Sequence, residues 1–331
     1  MVNLISPRGG ASVLPTDALD RLTSAGWTVL GRPLAPGSTS AELPAHIGPE
    51  ACAVLASWGT PAFSPEVHAA LPRLGFIGYC AGSVKRLVGP ETFRRGVVVC
   101  SGAPIIARAV GEYCLAAALW SLRDLDGLSG ALSGREGPAR WDRPPRARSL
   151  YGRSVGIVAA SSTARCFLEL LRPFGCSVAV FDPYLSAAEA ERLGVGLASL
   201  DEVCGQDVVS VHAPDLPATR GLIGAAQLRR IPDGGLFLNS SRAGVVQHDA
   251  LLAELRTGRI RAVLDVFPQE PLPPDSPLVG LPGVLLTPHA AGFSLDVYAE
   301  MGREITGDLL RWHAGQPPRH AVDARRWELL A

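Results

Sequence analysis

The sequence predicts an α/β protein built from two units, each a parallel sheet covered by helices. Three observations predict it. Short runs rich in Val, Leu and Phe, bounded by Gly and Pro, recur along the chain as buried strands do. Between two of them, 234–239 and 261–267, lies the Ala/Leu/Glu/Arg segment 249–258, closed by Gly258 as a helix would be. Strand, helix, strand of that length is a crossover unit, so its strands run parallel. Finally, 331 residues are enough for two separate cores.

The first part of the chain, to about residue 102, alternates strands and helices. Strands are expected at 2–6, 28–31, 52–57, 75–79 and 97–100, and helices at 16–25 and 64–74. Thr16 and Ser64 read as N-caps, with Pro65 at the first helical position. Trp58-Gly59-Thr60 and Cys80-Ala81-Gly82-Ser83 each follow a strand end. Each is either a plain strand–helix turn or a cradle of backbone N–H groups for a carboxylate. Residues 109–122 read as a mostly buried helix leaving this unit. Residues 130–153 are irregular, with Arg135, Arg140, Arg143, Arg146, Arg148 and Arg153. They form a solvated connector, an arm on a second subunit, or a phosphate-binding patch.

A strand at 155–158, a helix at 164–174 and a strand at 176–181 ending on Asp182 make a βαβ unit. An acid about 20 residues past the first turn of such a unit accepts ribose hydroxyls and repels a 2′-phosphate. That favours NAD over NADP. The glycine pattern is depleted: GxGxxG is replaced by Ala159-x-Ser161-x-x-Ala164. Ala at the third place still permits close helix–strand packing, whereas Ala159 and Ser161 add Cβ atoms at a tight turn and at a backbone approach. A strand–turn–helix without nucleotide stays open at this point. The candidates for holding a nucleotide are Ser161, Ser162, Thr163, Ala164 and Asp182 here, then His212, Ala213, Pro214 and Thr219 after the strand at 207–213.

Three further strands, 234–239, 261–267 and 283–287, end near Arg242, Glu270 and His289. In an open parallel sheet, ligands bind outside the carboxyl ends of the strands. These three side chains can therefore meet, although they are far apart in sequence. Arg offers a planar fork that holds a carboxylate and polarises a neighbouring C=O. His moves one proton near neutral pH, and a carboxylate beside it favours the imidazolium and fixes the tautomer. The long segment 294–314 reads as a helix returning to the first unit, and the Arg-rich end with Trp327 as a surface tail or an intersubunit contact.

Composition narrows the function classes. Basic and acidic residues balance at 31 each, so no nucleic-acid or membrane-surface partner is expected. The seven cysteines include no CxxC pair, which fits reduced thiols in the cytoplasm and no metal site. Met1-Val2-Asn3-Leu4-Ile5 shows no basic-then-apolar leader, and no run is expected to span a bilayer.

The residues that remain resemble those of the D-isomer-specific 2-hydroxyacid dehydrogenases. The matching stretches are Asn239-Ser240-Ser241-Arg242-Ala243-Gly244-Val245-Val246, Leu264-Asp265-Val266-Phe267-Pro268-Gln269-Glu270-Pro271-Leu272 and Thr287-Pro288-His289-Ala290-Ala291-Gly292. Val209 to Pro214, Thr219 to Ile223 and Phe181-Asp182-Pro183-Tyr184 also match. The resemblance implies NAD(H)-dependent interconversion of a 2-oxo acid and its (R)-2-hydroxy acid, by a homodimer. It implies that Arg242 binds and polarises the substrate, His289 is the acid/base and Glu270 tunes it. Asp265 would hold the nicotinamide carboxamide, with Ser240 and Gly292 also on the cofactor, and the Ala81-Gly82-Ser83-Val84 backbone would hold the substrate carboxylate. It also implies a Rossmann-like cofactor domain, 103–292, inserted into a flavodoxin-like substrate domain, 1–102 with 293–331. The chain departs from the family at the glycine loop, at Ile106 where Asn is usual, and at Ala243 and Gln247 where Gly and Asp are commoner. Two alternatives follow: a cofactor-impaired, nucleotide-sensing relative, or a dehydrogenase of phosphate- or phosphonate-bearing hydroxy acids.

Overall fold

The computed structural model describes residues 1–5, 13–132 and 147–329. The chain divides into two compact units: Met1–Ile106 with Phe293–Ala331, and Ala107–Gly292. The second is thus inserted into the first. The division falls inside one helix, Ala103–Leu122.

The first unit holds five strands: β1 (Val2–Asn3), β2 (Leu30–Gly31), β3 (Ala53–Ala56), β4 (Phe76–Tyr79) and β5 (Val98–Ser101). They pair in the order β2-β1-β3-β4-β5, all parallel. This is the flavodoxin-like order. β3 and β4 are buried along their whole length, as expected for central strands covered on both faces. The helix Leu295–His313 packs on β4, where Gly78 makes room: a Cβ there would lie 2.7 Å from Ile305. Beyond that helix the chain adds to the sheet edge, with Ser101 N–H donating to His320 O and Val322 N–H to Val99 O. Trp327 then packs on Phe93, with Lys85 over its ring. The expected surface tail is therefore a part of this unit, because an indole of that size finds apolar cover next to it.

The second unit holds seven strands: β6 (Ser154–Val158), β7 (Ser177–Phe181), β8 (Gly196–Leu197), β9 (Val208–Val211), β10 (Leu236–Asn239), β11 (Arg261–Leu264) and β12 (Val284–Leu286). Their order is β12-β11-β10-β9-β6-β7-β8, again all parallel. Strand order reverses between β6 and β9, the switch point of a Rossmann-like sheet. Gly156 on β6 permits a close approach that no other residue allows, since a Cβ would lie 2.0 Å from the carbonyl oxygen of Val203.

Some local expectations are corrected. The first helix starts at Thr16 itself, with Pro15 in the cap position and no side-chain cap, whereas Ser64 does cap Pro65–Ala70 by accepting from Val67 N–H. The helix after β6 begins at Ser162 and turns into a tighter helix, Arg172–Phe174, where Pro173 removes a donor. β11 stops at Leu264, although Asp265 N–H still donates to Asn239 O at 3.0 Å. Among the described residues one helix, Ala103–Leu122, is long and apolar enough to cross a membrane, against expectation. Cys114, Ala118 and Leu122 on it are fully buried in the protein, and Gly111 lets it pack tightly on Cys166. It is a core helix by those contacts. Arg135, Arg140, Arg143 and Arg146 of the irregular stretch, and Ser6 of the first expected strand, lie outside the described residues.

Candidate active site

Within the second unit, every residue singled out for chemistry sits beyond the carboxyl end of a strand in one sheet. Glu270 and His289 are brought into direct contact. The Nδ1–H of His289 donates to Oε2 of Glu270 at 2.7 Å, and the N–H of Phe267 donates to Oε1 at 3.1 Å. Both carboxylate oxygens are thus fixed, and the imidazole is left with Nε2 to offer. Burial is the largest influence on Glu270 and pushes its carboxyl up. The hydrogen bonds from His289 and Phe267, with the charges of His289 and Arg242, outweigh it and hold the group below the usual carboxylate range. Glu270 is therefore ionised at neutral pH and accepts from an Nδ1-protonated ring.

The backbone of His289 is in the left-handed region, with φ +53. That conformation costs a non-glycine residue on the order of 1 kcal/mol or more and persists only where neighbours over-determine it. Asp265 supplies the determination. Its backbone oxygen accepts from His289 N–H at 2.8 Å. Its carboxylate accepts from Ala290 N–H at 2.8 Å, Ala291 N–H at 2.9 Å and the Thr287 hydroxyl at 2.5 Å. The Tyr113 hydroxyl lies 2.6 Å from Thr287 Oγ1, and burial pushes its own ionisation up to about 12. Asp265 is fully buried, and burial raises its carboxyl despite those donors. Its observed work is to hold the turn that presents His289. Thr287 and Tyr113 are members of this site that the sequence reading missed; the Thr287 hydroxyl lay inside a matched motif, and nothing marked Tyr113.

Arg242 starts the turn after β10, and its charge reaches Glu270. The turn is organised by Asn239, nearly fully buried: Oδ1 accepts from the N–H and hydroxyl of Ser241 at 3.1 Å each, and Nδ2 donates to Arg242 O at 3.2 Å. Asn239, too, had been given no role. Ser240 contacts the Cys114 thiol at 3.3 Å.

The nucleotide candidates gather around the switch point. Ser161 caps the helix Ser162–Leu171 by accepting from Ala164 N–H, and the first-turn N–H groups of a helix have no intrahelical partner, which suits them to an anion. Ala159 keeps the left-handed turn that the missing glycine would take, with φ +72. Asp182 accepts from Ala160 N–H and from Tyr184 N–H, both at 2.8 Å, and keeps lone pairs at the end of β7. These features fit a dinucleotide despite the added Cβ atoms: the loop conformation survives, and the donors and the acid are in place. His212 is buried at the end of β9 between Thr163 and Ser210, and burial lowers it to about 4, so it is neutral. Ala213 is buried beside it. Thr219 uses its hydroxyl within its own loop, donating to Pro214 O and accepting from Leu216 N–H. Gly292 lies three residues beyond His289, in the turn at 291–292.

In the first unit, the Ala81-Gly82-Ser83-Val84 turn is tied to β5 by the Ser101 hydroxyl, which donates to Gly82 O at 2.8 Å. Trp58 and Phe293 both pack on Tyr298, with ring centroids 5.1 and 5.4 Å away. Tyr298 is a further residue that the sequence reading did not single out.

Residues 115–291, more than half of the chain, match the family model described as "D-isomer specific 2-hydroxyacid dehydrogenase, NAD binding domain". The chain is 31% identical over 278 residues to D-3-phosphoglycerate dehydrogenase of Mycobacterium tuberculosis, covering 83% of this chain but 52% of that protein. It is 29% identical over 277 residues to glyoxylate reductase of Korarchaeum cryptofilum, covering 82% and 83%. A phosphoglycerate oxidoreductase structure from Rhizobium etli superposes with TM-score 0.78 at 28% identity, over 97% of both chains. The chain spans about half the length of the phosphoglycerate dehydrogenases it matches. With the family model matched over more than half of the chain and the inserted parallel sheet beside it, this chain belongs to the D-isomer specific 2-hydroxyacid dehydrogenase family.

Proposed function

We propose that the protein interconverts a 2-oxo acid and its (R)-2-hydroxy acid with NAD(H). The observation that carries this reading is the His289–Glu270 pair at 2.7 Å on a turn held by Asp265, with the charge of Arg242 reaching Glu270. The nicotinamide, when bound, supplies the hydride to C2. Asp182 would accept from the ribose hydroxyls, and the N–H groups of Ser162 and Thr163 would meet the diphosphate. His289 donates the proton at Nε2 to the forming alkoxide, while Glu270 holds Nδ1–H and keeps the ring oriented. Arg242 grips the carboxylate and stabilises charge growing on the C2 oxygen; such a preorganised donor is worth ~3 kcal/mol or more. We assign a second carboxylate-binding role to the Ala81–Val84 turn. Asp265 acts in this reading by positioning His289.

The carboxylate of Asp182 disfavours a 2′-phosphate, so NAD is proposed over NADP. The relatives divide over substrate: D-3-phosphoglycerate carries a phosphate, glyoxylate does not. We propose a 2-oxo acid without a phosphate group as the first reading. The phosphate-bearing class is the second reading, favoured by the number of phosphoglycerate dehydrogenases among the relatives. All seven cysteines are free, which suits a reducing compartment, and a cytoplasmic homodimer is proposed by likeness to the family. The test is a panel of 2-oxo acids, with and without phosphate, assayed with NADH and NADPH. Turnover of one with NADH is expected. Absence of any NADH or NADPH binding at millimolar concentration would point instead to a relative that has lost its cofactor.

A further inference from the structure

In place of the second glycine, this chain puts a hydroxyl at the start of a buried polar chain. Ser161 Oγ lies 2.9 Å from Thr163 Oγ1. Thr163 Oγ1 lies 3.2 Å from His212 Nδ1, and His212 Nε2 lies 2.9 Å from Ser210 Oγ. Ser210 is fully buried, and its hydroxyl also reaches the thiol of Cys114, which contacts Ser240. Ser210, His212 and Cys114 are buried, and Ser161, Thr163 and Ser240 are partly exposed.

A neutral imidazole has one N–H and one bare nitrogen, so the chain runs in one of two directions. In one, Ser210 donates to Nε2, Nδ1–H donates to Thr163, and Thr163 donates to Ser161. Ser161 Oγ then accepts from Thr163 and from Ala164 N–H, and its own proton must point outward. In the other, every donor points inward and Ser161 shows only lone pairs at the helix start. An anion at that helix N-terminus is attracted by the first arrangement and repelled by the second.

We propose that the cofactor diphosphate selects the outward-donating chain, so that Thr163 and His212 position the Ser161 hydroxyl as a phosphate donor and His212 is held as its Nδ1–H tautomer. The proposal rests on the dehydrogenase reading given above. It explains how a loop without its second glycine keeps its hold on an anion: one side-chain donor stands where a backbone approach is lost. Thr163 and His212 are positioning residues, acting through Ser161.

Two measurements test it. Long-range 1H–15N spectra of the full chain with 15N-labelled histidine are recorded with and without saturating NAD+, His212 being assigned by its loss in His212→Asn. The expected result is a protonated Nδ1 in the complex; a protonated Nε2 there overturns the proposal. NAD+ affinity is then compared by calorimetry. Thr163→Val is expected to weaken it about tenfold, and Thr163→Ser to stay within about twofold of the parent, the scale of one hydrogen bond to a charged group. If Thr163→Val binds as the parent does, the relay is wrong and the dehydrogenase reading stands. If the parent itself binds neither NAD+ nor NADP+ at millimolar concentration, both fall.

Discussion

Asp265 and His289 are joined twice, once through backbone and once through the turn that follows. The N–H of His289 donates to Asp265 O at 2.8 Å, and the next two N–H groups donate to the Asp265 carboxylate. A residue at the end of β11 thereby holds the left-handed backbone of a residue beyond β12. Replacing Asp265 by Asn removes an acceptor oxygen and puts a donor amide against N–H groups. The expected outcome is a fall in kcat of about 10²-fold, with a smaller change in NADH affinity; misplacement of about 1 Å has that effect. Stopped-flow turnover and NADH fluorescence titration measure the two separately.

His289→Asn should lower kcat by about 10² to 10⁴, the usual contribution of a general acid. Glu270 adds a pH signature. Its carboxyl lies below its ordinary value of 4.5, so the pair with His289 is complete above that pH and is lost only as pH falls through the depressed value. Glu270→Gln should therefore reduce turnover at all pH values above about 5. An acid limb near neutrality that disappeared in this variant would contradict the assignment.

Arg242→Gln should reduce kcat/KM by at least about 10²-fold, corresponding to one lost preorganised donor of ~3 kcal/mol. NADH binding should hardly change. Arg242→Lys, with charge but no fork, should recover only a part, because the planar two-point grip is missing. Steady-state kinetics on the preferred 2-oxo acid reads both.

Ala159 has a Cβ in a left-handed backbone, φ +72. That placement costs about 1–2 kcal/mol relative to glycine, part of which the added flexibility of unfolded glycine takes back. Ala159→Gly should stabilise the protein by about 0.5–1 kcal/mol, read as a rise of a few degrees in Tm. A lower Tm would mean that the methyl group packs better than its backbone suggests.

In the first unit, Asp308 is almost fully buried and accepts from Arg319 N–H, His320 N–H and His320 Nδ1. Its hydrogen bond with Asp308 is the largest influence on His320 and raises it above 6.5. Burial pushes the Asp308 carboxyl up, but His320 and the two backbone donors outweigh that and hold it below 3.8. The His320 contribution is complete below pH 6.5 and fades as pH rises through its raised value. The Asp308 contribution is complete above pH 3.8 and fades as pH falls through its lowered value. The stability gap between the parent and Asp308→Asn should therefore be widest near pH 4–6.5 and narrow above neutrality. Thermal melts across pH measure it, and a gap that grew above pH 8 would refute the sign.

Much of the frame was legible from residue type and spacing. Val/Leu runs cut by Gly and Pro are strands because only β structure buries both faces of so short a segment. Arg242, Glu270 and His289 were legible because each follows such a run, and parallel strands bring their carboxyl ends to one edge. Tyr113 and Thr287 were not, since their hydroxyl groups meet across 174 positions in sequence; Asn239 was not, because its partners Ser241 and Arg242 are close in sequence but only the folded turn buries its amide against them. Asp265 shows the limit most clearly: its motif marked it as functional, but not that it turns inward onto the His289 loop.

By itself, then, the sequence determined two parallel sheets, their order of elements and the chemical types at the site, because periodicity, turn residues and side-chain chemistry are local properties. Tertiary structure alone decided that residues 320–322 join the first sheet, that an Ala can stand at a left-handed turn, and that four side chains, one of them a buried imidazole, link Ser161 to Ser240. Those outcomes depend on distances between segments remote in sequence, and on which polar groups lose water and must find one another.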